Sequence, residues 1–270
     1  PAGRSGRTGI KSKNATLDTT AMKTAVETIK SHRAFRHFKS DRPLAAEEIQ
    51  TIIDCARQAP SWMNGQHYTI INITSPELRA RIAALQPANP QIASCSTFLI
   101  FIADLHRAKL CSEAYGGTFA AAGHSDSLIT AVTDASLAAQ NAVVAAESLG
   151  YGTCFIGGIR FIADDIIGLL QLPEHTFPLF GLCIGVPDIE MRVKPRLPEN
   201  TVYAENRYPD DAILSDGLKQ YEQTMTEFGE ARETLPYREK FACYYSSAEP
   251  KNEPLIYHQG WLVPHRDEKI

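Results

Sequence analysis

The sequence has 270 residues, 44% hydrophobic and 21% charged, a composition that buries a sizeable core and excludes the disordered and fibrous classes. Its formal net charge of −4 argues against a general nucleic-acid binder, which carries a basic excess. Six cysteines occur without a CxxC pair, and His32 and His37 are five apart. That pattern points to reduced thiols in a cytoplasmic protein, with no metal site.

From Pro1 to about Ala21 there is no apolar period and no signal-peptide core. This stretch reads as a leader or tail before a natural start at Met22, with a basic targeting segment as the alternative. A first helix is expected over 24–32, with Val26 and Ile29 as its apolar stripe. Asp41-Arg42-Pro43 breaks the chain. A second helix follows over 47–58, with Ile49, Ile52, Ile53 and Ala56 on one face, and Pro60 stops it. The β-branched run 68–74 is expected as a strand, 77–85 as a short helix, and the apolar run 97–103 as a buried central strand.

Ser125 to Leu149 is the longest helical pattern, Ala-rich and closed by Gly150. Asp126, Asp134, Gln140, Asn141 and Glu147 interrupt it too often for a membrane span, so it reads as a central helix buried on most sides, covered further by a second subunit. A short strand over 153–156, a helix over 162–170 and a buried strand over 179–186 follow. Beyond Pro198 the chain turns polar, with one helix over 212–228. The division expected is a leader or tail over 1–21, a core over 22–200 and a C-terminal extension over 201–270 that wraps the core or a partner subunit. A sheet with helices on both faces fits this order.

Four segments carry candidate chemistry. His32-Arg33-Ala34-Phe35-Arg36-His37-Phe38 releases several cations at a helix end, and arginine's planar fork suits phosphate. On local sequence alone, a solvated basic helix end favoured by the macrodipole is the leading reading. Lys194-Pro195-Arg196 presents two cations on a stiffened segment, or is a plain basic loop. Cys154 to Arg160 places Gly157 and Gly158 at a strand's end, where a ligand or simply a tight turn requires them. Pro60 to Gln66 offers a hydroxyl and amides, to a ligand or to its own turn. Gly150-Tyr151-Gly152 lacks the third glycine of a dinucleotide fingerprint, and neither a P-loop nor a GxSxG elbow occurs. The absence of a sequence-level catalytic dyad suits an enzyme whose cofactor does the chemistry.

In their order and spacing, HRAFRHF (32–38), APSWMNGQ (59–66), AAQNAVVAAESLGYGTCFIGGIR (138–160), FPLFGLCIGVP (177–187) and KPRLP (194–198) resemble the nitroreductase superfamily. The likeness is to its larger members, the oxygen-insensitive NADPH nitroreductases and NADPH–flavin oxidoreductases. It implies an α+β fold: a central, mostly antiparallel sheet flanked by helices, with a long buried central helix, in an intertwined homodimer with two FMN sites at the interface. It also implies roles. His32, Arg33, Ala34 and Arg36 match the segment on FMN phosphate, ribityl and ring edge. Lys194 and Arg196 match a phosphate clamp, and Phe155, Ile156, Gly157, Gly158 and Ile159 the segment over the ring. Ser61, Asn64 and Gln66 match a loop beside ribityl and pyrimidine. Arg36, Phe228 and Arg232 match the substrate side, with Arg232 on the NADPH phosphate.

The pattern is departed from at five positions. Ala34 replaces a serine, and Trp62-Met63 replace small polar residues. Asn89 replaces a flavin-contacting glutamine, for which Gln91 is a substitute, and Glu253 stands where a second NADPH-binding arginine is usual. An acidic group there disfavours a 2′-phosphate. The expected activity is ping-pong, two-electron hydride transfer from NADPH or NADH through FMN N5 to nitroaromatic, quinone or flavin acceptors. The alternatives are a reductive dehalogenase on the same fold and a non-catalytic flavin-binding or redox-sensing protein.

Overall fold

The computed structural model describes residues 23–229, 234–247 and 252–262. The leader expected over 1–21 and Arg232 lie outside these residues. Four strands, β1 (Tyr68–Asn72), β2 (Thr97–Asp104), β3 (Gly152–Ile156) and β4 (Thr176–Gly185), form one sheet among the described residues. Its order is β1-β2-β4-β3 and every pairing is antiparallel.

Strand β2 is buried along its whole length because both faces of the sheet are covered. Its odd positions, Leu99, Phe101 and Ala103, join the core beneath α2 (Ala46–Arg57) and α6 (Ser125–Ser148). Its even positions, Phe98, Ile100 and Ile102, join a second core with Ile82 of α3 (Pro76–Leu85), Ile92 of α4 (Gln91–Ser94) and Ile166 of α7 (Ala163–Leu170). The period of two side chains thus serves two cores, which is why the run is apolar without alternation. A bulge between Phe101 and Ile102 sets Ile102 opposite Pro178, so a proline fits into a central strand.

Helix α6 lies on the first core through Ala131, Ala135, Ala138, Ala142 and Ala146, small residues at helical spacing that let its axis approach the sheet closely. By length and composition α6 could cross a bilayer. Its burial within this chain is one-sided, with Ile129 and Leu137 exposed, where the sequence suggested cover on most sides.

Helix α1 (Ala25–Lys30) is shorter than expected and is closed by a capping box between Thr24 and Glu27. Its expected apolar stripe is exposed, Val26 at 61% and Ile29 at 56%, while Thr28 is buried. So short a helix meets the core with one residue only. Helices α5 (His106–Ala114), α8 (Asp211–Phe228), α9 (Tyr237–Ser247) and α10 (Glu253–His258) are the other α-helices among the described residues. The segment after α10 docks on the sheet: His175 N–H donates to Gln259 O at 2.8 Å, and Trp261 is fully buried in the first core.

Candidate functional site

Two carboxylates of α6 organise the predicted segments. Near its C-terminal end, Glu147 Oε1 lies 2.8 Å from His32 Nδ1 and accepts from Thr153 Oγ1 at 2.6 Å. An ionised carboxylate only accepts, so the Nδ1 of His32 carries the proton here. Phe35 N–H donates to Thr153 O, and Ala34 bridges Thr153 in parallel, which lays the basic segment along β3.

The same segment runs antiparallel to the chain that leaves β4. Phe38 bridges Pro187, Asp188 N–H donates to His37 O, and Lys39 N–H donates to Val186 O. Arg33 closes this pairing. It donates to Met191 O and Ser31 O, both at 2.9 Å, and pairs with Glu190, its guanidinium 4.8 Å from the Phe35 ring centroid. The first basic cluster is therefore tied to the segment that leads to the second, Lys194 following Met191 by three residues. Their cations are not equivalent. His32 and Arg33 are committed within the fold. Arg36 is half-buried and, among the described residues, has no hydrogen-bond or ion-pair partner. A half-buried guanidinium without a counter-charge is the signature of an anion site. Arg196 is exposed.

Strand β3 ends at the double glycine. Phe155 is 40% exposed and packs edge-on against Phe180, with centroids 5.3 Å apart. The side chains of Ile156 and Ile159 are in the second core, so only their backbone is available to a ligand. A Cβ on Gly157 would meet only the tip of Arg160, at 3.8 Å, which leaves that glycine open to an approaching group. Asn89 and Gln91 both stand near this turn, joined by a hydrogen bond of 3.3 Å, and Gln91 is buried.

The loop Ser61–Gln66 belongs to a different station. Asp134, buried in the middle of α6, accepts from Trp62 N–H and His67 N–H, both at 3.1 Å, and lies 2.8 Å from His67 Nδ1. Arg107 holds the loop's other flank through Gln66 O and Tyr68 O. Three non-glycine residues, Met63, Asn64 and Gln66, have φ between 51° and 56°, a left-handed backbone that persists only where the surroundings over-determine it. Ser61 Oγ accepts from Gln66 N–H, and Trp62 and Met63 are exposed. Asp134 and Glu147 are thirteen residues apart, about 20 Å of helix rise. Within one chain, then, the first basic segment lies along the start of β3, the glycine turn closes the far end of that strand, and the Ser61–Gln66 loop is held at a separate point of α6.

On the C-terminal side, Lys194 lines a cavity of about 360 Å³ with Tyr221, Met225, Tyr237, Lys240 and Phe241. Tyr221 Oη donates to Pro195 O at 2.8 Å, fixing the strap that carries Lys194 and Arg196. The Phe228 ring is covered by the guanidinium of Arg192 at 4.0 Å, which also donates to Gly229 O. Glu253 begins α10 and accepts from Tyr257 Oη. Sequence reasoning missed Arg192 and Gln86, and took Asp134 and Glu147 only as polar breaks in an apolar helix. The three-residue step from Asn89 back to Gln86 was the one local hint of an amide cluster.

An antiparallel sheet flanked by helices, with a half-buried unpaired arginine at one end of β3 and a glycine turn at the other, is an arrangement suited to an anionic ligand. The chain belongs to the nitroreductase family: residues 29–186 match the Nitroreductase family and residues 194–263 its C-terminal domain. It is 33% identical over 248 residues to the FMN reductase [NAD(P)H] of Bacillus subtilis, covering 90% of this chain and 99% of that protein. To the oxygen-insensitive NADPH nitroreductase of Salmonella typhimurium it is 35% identical over 249 residues, covering 90% and 100%. The solved structure of the NADPH:FMN oxidoreductase from Vibrio harveyi complexed with NAD+ superposes with a TM-score of 0.81 at 30% identity, over 89% of this chain and 99% of that one.

Proposed function

We propose that this chain is a soluble, cytoplasmic FMN-dependent NAD(P)H oxidoreductase that passes two electrons to small acceptors: nitroaromatics, quinones or free flavin. The observation that carries the reading is Arg36, half-buried and unpaired beside the strap that leads to Lys194 and Arg196. Those three cations hold the FMN phosphate, while His32 and Arg33 position the segment from behind. The backbone of Gly157 to Ile159 meets the ring. Bound FMN supplies the hydride chemistry, so the chain needs no nucleophile or acid dyad of its own. Donor and acceptor share one face, which makes the kinetics ping-pong. Arg36 and Phe228 line the substrate side, and Arg232 is proposed to read a nicotinamide dinucleotide's 2′-phosphate.

The active form is a homodimer. The Ser61–Gln66 loop and the basic segment are anchored about 20 Å apart along α6, and a second copy brings its own loop to the first chain's turn. Exposed Val26, Ile29, Ile129 and Leu137 supply apolar surface for that contact. The test is direct. The purified protein is expected to carry the FMN absorption bands, to run as a dimer in light scattering, and to consume NAD(P)H with a nitroaromatic. A colourless protein that takes up no FMN on reconstitution would end the reading.

A further inference from the structure

We propose that Gln91, Asn89 and Gln86 form an aligned amide chain that holds and polarises the glycine turn, with Gln86 as the positioning residue that sets the redox poise of the cofactor there. This rests on the FMN reading above. Gln91 Nε2 donates to Asn89 Oδ1 at 3.3 Å, Asn89 Nδ2 to Gln86 Oε1 at 3.1 Å, and Gln86 Nε2 to Gly158 O at 2.9 Å. The polarity is fixed by elimination. A backbone carbonyl only accepts, so the Gln86 atom facing Gly158 is its nitrogen. Its oxygen then faces Asn89, which must donate, and Asn89's oxygen in turn faces the Gln91 amide nitrogen. At the far end, Gln91 Nε2 lies 3.7 Å from Cys154 Sγ. The chain of amides therefore spans β3 from Cys154 to the turn.

Gln86 and Gln91 are buried, where aligned hydrogen bonds reinforce one another. All three amides point their NH2 ends toward Gly158. The bond to the Gly158 carbonyl fixes that peptide plane and strengthens the N–H on the same peptide, that of Ile159. It also explains one of the two glycines. A Cβ at Gly158 would sit 2.3 Å from Gln86 Oε1 and 3.2 Å from Asn89 Nδ2. Gly158 is small to admit Gln86, whereas Gly157 is the glycine open to a ligand.

Reduced flavin carries more electron density than oxidised flavin. The positive ends of aligned dipoles therefore favour the reduced form. The measurement uses the FMN-loaded protein: FMN affinity by fluorescence quenching, midpoint potential by dye-coupled reduction, and the visible spectrum. Gln86→Leu is expected to weaken reduced FMN about tenfold relative to oxidised, a potential about 30 mV more negative for a two-electron couple. Gln86→Glu, which cannot donate when ionised, shifts further in the same direction. Asn89→Leu shifts less, because Gln86 still reaches Gly158, and Gln91→Leu shifts least. That graded order separates tuning from loosening, since a loosened site loses both redox forms alike and keeps its potential. If Gln86→Leu fails to fold, Asn89→Leu carries the test, and an unchanged potential there overturns the proposal. Variants that bind FMN at the wild-type potential overturn it while leaving the FMN reading intact. A wild-type protein that binds no FMN overturns the reading itself.

Discussion

Asp134 and Glu147 are carboxylates on the same helix, each tied to a histidine and to a segment of the candidate site, yet they do different work. Asp134 grips the Ser61–Gln66 loop by its backbone, through two N–H groups and the His67 ring. The loop's left-handed shape is therefore independent of its outward side chains, and Trp62 and Met63 are free to face outward. Glu147 grips by side chains, His32 and Thr153, and strand-like pairing does the rest. Asp134 is satisfied by the donors it holds, the Trp62 and His67 N–H groups and the His67 ring. Beside Glu147 the fold consumes His32 and Arg33 and leaves Arg36 over. The first arrangement holds a loop in shape, and the second leaves a surplus cation that marks where an anion binds.

The largest expected effect tests the first half of that contrast. Asp134→Ala strands the His67 ring and two backbone donors and should cost about 3–5 kcal/mol, read as a fall in the urea midpoint. Glu147→Ala should cost about 1–2 kcal/mol, because partly exposed His32 can turn to water and only the buried Thr153 hydroxyl is stranded. Equal losses would break the comparison. Next, Arg36→Ala should weaken FMN binding about 10- to 100-fold with an unchanged melting temperature, since it removes charge-assisted contacts that the free fold does not use. Arg33→Ala should do the reverse, lowering stability by about 1–2 kcal/mol. An Arg36 variant that melts early would show the cation to be structural.

The smallest effect concerns the scaffold end, where Leu105 N–H donates to His175 O and His175 N–H to Gln259 O. Burial, reinforced by Lys109 and His106 and opposed by Glu174 and a Gly260 backbone bond, holds His175 below its ordinary value. The unfolded chain then takes up this proton first, at about pH 6.5. The contribution is fully present above that pH and is lost as pH falls through the lower folded value. Below about pH 6 the C-terminal segment should loosen, seen as a red shift of Trp261 emission in a Trp62→Phe background. His175→Asn should flatten that curve.

The sequence pattern made β2 and α6 legible because each is apolar over more residues than a loop tolerates. Helices α5 and α9 were not, since neither buries a residue and so neither shows a stripe. The basic segments and the glycine turn could be singled out by residue type, but not the division of labour among Arg33, Arg36 and His32. That division depends on Glu190, Met191 and Glu147, more than a hundred residues away. Asp134 was illegible for the same reason, its partners lying 67 and 72 positions off.

Trp261 belongs to the same core as Leu44, which precedes it by 217 positions. During synthesis, that core therefore stays open until Trp261 itself has left the ribosome. The nascent chain must keep β2 and the alanine face of α6 from meeting other hydrophobic surfaces for most of translation, a burden that falls on chaperones. A truncation before Trp261 should make itself known as aggregation rather than as a weaker enzyme.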